Sequence, residues 1–179
     1  MPLPINVDDL LHGKAVEWER LEFKQGWNPL DTLQTLCAFA NDFHNLGGGY
    51  VVVGIAEKHG QPVLPPVGLQ LSQLDAIQNQ ILNLGHTAIQ PSYHPIVAPY
   101  VVAGQTVLVI SAPGGQTRPY KAKIGLGKDN KEYGYFSARG RVRSEPRART
   151  KLSCCRSPPL SHSTIDSTSE REWKIFPAN

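Results

Sequence analysis

At 179 residues the chain is long enough for one domain with a real core and an appendage. No stretch approaches the ~18 consecutive apolar residues of a membrane helix, the opening MPLPINVDDLLHGK lacks the apolar run of a signal peptide, and Cys37, Cys154 and Cys155 have neither disulfide-framework nor zinc-ligand spacing. A reducing, cytoplasmic setting is therefore expected. The net charge of +3 is unevenly spread, at −5 over residues 1–100, +3 over 101–136 and +5 over 137–179, so overall basicity is a poor argument for a nucleic-acid partner.

In chain order, residues 1–16 read as a lead-in, with Asp8-Asp9 before Leu10-Leu11 marking a short capped turn or helix. Glu17 to Lys24 alternates charged and apolar residues, which predicts a strand in its second half. Asn28-Pro29 ends it, and Asp31 can cap a following helix that carries Leu33, Leu36, Cys37, Phe39 and Ala40 at helical spacing. Beyond Gly47-Gly48-Gly49, the run Tyr50–Ile55 predicts a strand buried on both faces. His59-Gly60 marks a turn, and Leu74–Leu84 a second helix with Ile77, Ile81 and Leu84 on one side. Strands follow over Ile96–Tyr100 and Gln105–Ser111. Pro119–Lys123 and Glu132–Phe136 form two arms of a hairpin. Strands and helices mix without strict alternation, which predicts an α+β fold with a mixed sheet and two main helices.

The hairpin carries the binding chemistry. Arg118, Lys121, Lys123, Lys128 and Lys131 interleave with Tyr120, Tyr133, Tyr135 and Phe136. Cations neutralise phosphates and aromatic faces stack on unpaired bases, so the mixture suits single strands or RNA. The same residues also describe a charged, twisting hairpin whose aromatics pack on the sheet. Glu22 and Lys24 likewise read either as site residues or as the solvated face of an edge strand. The glycine triplet could cradle a phosphate or simply permit a tight turn. Asn41 reads as a helix-end cap or a partner of backbone groups. No G-x-x-x-x-G-K-S/T occurs, so a Walker-type ATPase is not expected.

Several features resemble the Schlafen AlbA-type domain in order and spacing. They are Leu21-Glu22-Phe23-Lys24, Cys37-Ala38-Phe39-Ala40-Asn41, Gly47–Gly49 running into Val52-Val53-Gly54-Ile55, the later Val107–Ile110 and Arg118-Pro119-Tyr120. The resemblance covers residues 17–136 and implies a DNA- or RNA-binding regulatory module, a type found in bacterial transcriptional regulators, with Lys24 joining the hairpin residues at the site. It also implies a pairing of such domains into homodimers, and, from eukaryotic relatives, an alternative as a metal-dependent endoribonuclease. In that alternative Glu17, Glu22 and Glu57 match the family's three carboxylates and would hold Mg²⁺ or Mn²⁺. Here Ala56-Glu57 stands where the family usually has two aspartates. A third expectation is a dimerisation or interaction domain that takes no nucleic acid.

From Ser137 the character changes to a basic segment with eight serines and no sustained periodicity, read plainly as a disordered tail. In a codon phase one base earlier, residues 138–148 re-read as REGSSTVRAEG and 162–171 as PFDDRFNQRA. Both resemble family segments, in family order, which points to a frameshift near codon 137.

Overall fold

The computed structural model describes residues 3, 5–12, 20–127 and 129–137. Glu17, Lys128 and the whole segment beyond residue 137, with its frameshift reading, lie outside these residues. Everything described falls within one compact unit, Met1–Val142.

The elements are α1 (Val7–Leu11), β1 (Leu21–Lys24), α2 (Pro29–Asn41), β2 (Gly49–Val53), β3 (Glu57–Lys58), β4 (Gln61–Pro62), α3 (Leu71–Thr87), β5 (Ile89–Gln90), β6 (Ile96–Val102), β7 (Gln105–Ala112), β8 (Lys121–Lys123) and β9 (Tyr133–Gly134). The main sheet runs β1-β2-β7-β6. Its β1–β2 pair is parallel, and β2–β7 and β7–β6 are antiparallel. This is the expected α+β fold with a mixed sheet and two main helices.

Period-two alternation divides the sheet's side chains between two cores. Val51, Val53, Leu108, Ile110 and Ala112 face α2 and α3. Leu21, Phe23, Val52, Val107 and Val109 face the opposite way, where Leu3, Val7, Leu10 and Leu11 cover them. The described residues of the lead-in are thus part of the packed body, tied down where the Leu3 N–H donates to the Tyr100 hydroxyl at 2.8 Å. The buried run in β2 follows from this double covering, since Val51, Val52 and Val53 are each fully enclosed.

The start of α2 differs from the sequence reading. Asn28, not Asp31, is the N-cap, and its side chain accepts from the Asp31 N–H at 3.2 Å. Pro29 then fits the first turn, where a missing N–H costs nothing. That arrangement frees the Asp31 carboxylate for Lys24. At the other end Asp42 takes a left-handed conformation, φ 34°. Its carboxylate accepts from the N–H groups of Leu46 and Gly47 at 2.9 Å each.

The strand β6 is one edge of the main sheet. Ala103 and Gly104, both at positive φ, form the two-residue loop to β7. Such a loop makes Val102 and Gln105 a hydrogen-bonded pair, and strict alternation then leaves Pro99, opposite Leu108, with its ring nitrogen facing outward. The missing donor blunts this edge against pairing with another strand.

Candidate nucleic-acid interface

The small sheet β5-β8-β9 builds the surface. Ile89 pairs with Ala122 and Ala122 with Gly134, while Gln90 pairs with Lys121 and Lys123 with Tyr133. Ile89 and Ala122 are fully buried in the core shared with α2 and α3, and Tyr120 and Phe136 pack there too. The intervening residues therefore point outward: Gln90, Lys121, Lys123 and Tyr133, with Tyr135 carried to the same side by the alternation. Lys121 Nζ stands 5.4 Å from the centre of the Tyr133 ring, and the Tyr133 hydroxyl reaches the Thr87 carbonyl at 3.5 Å. Tyr135 is 68% exposed. Among the described residues no carboxylate lies within ion-pairing distance of Lys121, Lys123 or Lys131.

This sheet is fastened to α2 by Asn41, which is wholly buried. Its side-chain oxygen accepts from the Tyr120 N–H at 2.7 Å, and its Nδ2 donates to the carbonyls of Tyr120 and Phe136 at 3.0 Å each. One amide thus holds both arms of the hairpin. Beside it the Cys37 thiol donates to the Tyr120 carbonyl at 3.5 Å. Burial, against a smaller opposing effect of the Phe136 backbone, pushes that thiol up to about 11, so it stays protonated and unreactive near neutrality.

Four of the expected binding residues, Lys121, Lys123, Tyr133 and Tyr135, are gathered on this face; Lys131 is exposed in the loop between the arms, and Lys128 lies outside the described residues. Two others are bonded to groups of the chain itself, Lys24 in the interior and Arg118 at the surface. The Arg118 guanidinium donates to the carbonyls of Gly115, Asn41 and Asp42 and to Asn45 Oδ1, at 2.7 to 3.2 Å, closing the C-terminal end of α2. Lys24 is 7% exposed and its ammonium bonds Asp31 Oδ2 at 2.5 Å and Glu22 Oε1 at 3.3 Å. Lys24 is thereby kept from a phosphate, whereas Arg118 remains exposed but is tied to the end of α2 by these bonds.

The glycine turn is likewise occupied. Burial raises the Asp42 carboxyl, but bonds from the Leu46, Gly47 and Gly48 amides and the charge of Arg118 outweigh it and hold the group below its ordinary value. Those amides already have their anion. A Cβ on Gly48 would lie 2.1 Å from the Ala112 carbonyl, so glycine is required there by close packing.

Glu22 is compensated by Lys24, and Glu57 is exposed on the two-residue strand β3. Among the described residues no group of three His, Cys, Asp or Glu side chains is placed to hold a metal ion. Glu17, the third carboxylate of the expected set, lies outside the described residues. Asp31 and Asn41 mark the two ends of α2, about 15 Å apart at ~1.5 Å per residue, so the ion cluster and the hairpin latch sit at opposite ends of one helix.

The model of the family described as Schlafen, AlbA_2 matches residues 17–141. The chain belongs to this family. Its fold is similar to the solution structure of the N-terminal domain of a Nitrosomonas europaea protein described as related to the ATP-dependent DNA helicase RecG. The two share 25% identity and a TM-score of 0.50, over 82% of this chain and 95% of that one. A second solved structure, the DIP2311 protein from Corynebacterium diphtheriae, matches at 23% identity and a TM-score of 0.40, over 61% of this chain and 21% of that one. No curated protein matches. Among the described residues of this AlbA_2 domain, no helix is long and apolar enough to cross a membrane.

Sequence reasoning found the hairpin but missed β5. Gln90 enters the face only because α3 delivers it beside Lys121, and a two-residue strand leaves no periodic signal. The roles of Lys24 and Arg118 were equally hidden, since a cation bonded within its own chain and one facing a ligand read alike in sequence.

Proposed function

We propose that this AlbA_2 domain binds nucleic acid, DNA or RNA, through the outer face of β5-β8-β9, as a regulatory module without chemistry of its own. The observation that carries the reading is the side-by-side placement of Lys121 and Lys123 with Tyr133 and Tyr135, outside a sheet whose inner face is committed to the core. Lysines supply sequence-independent attraction to phosphates, and the ring faces add stacking. Family membership and the helicase-related description of the Nitrosomonas domain point the same way. Lys24 and Arg118 are left out of this surface because both are bonded internally. A homodimer through the β6 edge is not favoured, because Pro99 offers no outward donor there.

The test is binding of labelled single-stranded and duplex DNA and RNA over a salt series, with Mn²⁺ or EDTA present. With Lys121, Lys123 and Lys131 each neutralising one phosphate, log affinity should fall with log salt at a slope of about −2 on a single strand. Lys121→Ala with Lys123→Ala should reduce the slope to about −0.7 and weaken binding alike for all sequences. An unchanged slope in the folded double variant would remove the hairpin from the binding surface. Robust Mn²⁺-dependent cleavage by the wild-type chain, lost in Glu22→Gln, would replace this reading by the nuclease one.

A further inference from the structure

The outer face of the small sheet is narrow and short. Three strands at ~4.8 Å spacing give a strip about 10 Å across, and β8 and β9 have only three and two residues. Nothing on the strip projects as a helix or long ribbon that could enter a duplex groove. Its described cations are few, and Asp129 and Glu132 stand in the loop beside Lys131. A site of such low charge cannot rest on phosphate contacts alone.

What the strip does offer is exposed aromatic surface at lysine spacing. Lys121 and Lys123 are two residues apart on one strand, so their stems leave the sheet about 6.6 Å apart, a separation suited to neighbouring phosphates of an extended strand. The two tyrosines differ. One side of the Tyr133 ring is taken by the Lys121 ammonium, and its hydroxyl is directed to Thr87. Tyr135, 68% exposed, has no such commitment among the described residues. A ring in that position gains nothing from a duplex, whose bases are covered by one another, and much from an unpaired base.

Resting on the nucleic-acid reading above, we infer that the ligand is an extended single strand, laid along β8 with phosphates on Lys121 and Lys123 and a base stacked on Tyr135. Stacking carries the affinity and the lysines set its salt dependence. Gln90, paired with Lys121 on the same face, is placed to contact the strand's polar edge.

The full chain is titrated with a labelled single-stranded 12-mer and with a duplex of the same sequence, as DNA and as RNA, at low salt, using wild type, Tyr135→Ala and Tyr135→Phe. The expected result is that the wild type prefers the single strand at least tenfold. Tyr135→Ala should lose roughly tenfold on the single strand, the scale of one stacked base, while Tyr135→Phe retains affinity and duplex binding is unchanged in all three. Equal affinity for duplex and single strand, or an unaffected Tyr135→Ala, overturns this inference and leaves the broader nucleic-acid reading intact. Absence of binding to any of the four ligands at low salt overturns both.

Discussion

Replacing Asn41 by alanine tests whether a single buried side chain holds the binding face in place. The side chain makes three hydrogen bonds to the backbone of the hairpin, two to Tyr120 and one to Phe136, at 2.7 to 3.0 Å. Each typical internal bond contributes about 1 kcal/mol net, and a buried group stripped of its partner costs about 1–3 kcal/mol. These figures describe the same bonds from two sides, so the expected loss is about 3–5 kcal/mol rather than their sum. Against a total of about 5–15 kcal/mol for a domain, that is a large share. Asn41→Asp should do no better, because it keeps the acceptor for the Tyr120 N–H but turns a second oxygen toward two carbonyls. Urea unfolding followed by circular dichroism gives the free energy, provided the slope with denaturant is unchanged. Hydrogen exchange at Ala122 and Lys123 should accelerate in the folded variant, and nucleic-acid affinity should fall although Asn41 is nowhere on the surface. A loss below about 1 kcal/mol, with exchange unaltered, would show that Tyr120 and Phe136 have other partners and refute the latch.

Three further outcomes follow from the same geometry. Asp42 has its folded-state value lowered, so its contribution to stability is present above the ordinary carboxyl value of 3.8 and is lost as pH falls through the lower folded value. Asp42→Asn should therefore be less stable than wild type at pH 7, with the gap closing in acid; a gap independent of pH would deny the carboxylate its role. Lys24→Met should cost no more than about 1 kcal/mol and leave nucleic-acid binding unchanged, because it removes a buried charge whose partners can be hydrated, whereas Asp31→Ala should be the more damaging change. Thermal melts and the binding titration check both halves, and a binding loss in Lys24→Met would return that lysine to the interface. Ala103→Asn, which places Asn-Gly in a loop where Ala103 sits at φ 47°, should stabilise the chain by about 0.5–1 kcal/mol. A lower melting temperature would mean that the loop is not the two-residue hairpin turn described.

The sequence by itself determined the elements whose side chains repeat along one strand or helix. The buried run of β2, the α2 stripe around Leu33, Leu36 and Cys37, and the β7 strand are each visible because burial on a regular element imposes a period. The outer face of the hairpin was visible for the same reason, since alternation places Lys121 with Lys123 and Tyr133 with Tyr135. Tertiary structure decided what depends on residues far apart in the chain. Whether Lys24 is a phosphate contact or an internal cation depends on Asp31, which reaches it only after Asn28 has taken over the cap. Arg118, although exposed, is tied to carbonyls at the end of α2, more than seventy residues earlier. The lead-in becomes core because the second face of a four-stranded sheet must be covered by something, and Val7, Leu10 and Leu11 are the apolar side chains placed there. A cation's partner is a property of three-dimensional neighbours, and no local pattern in the chain encodes it.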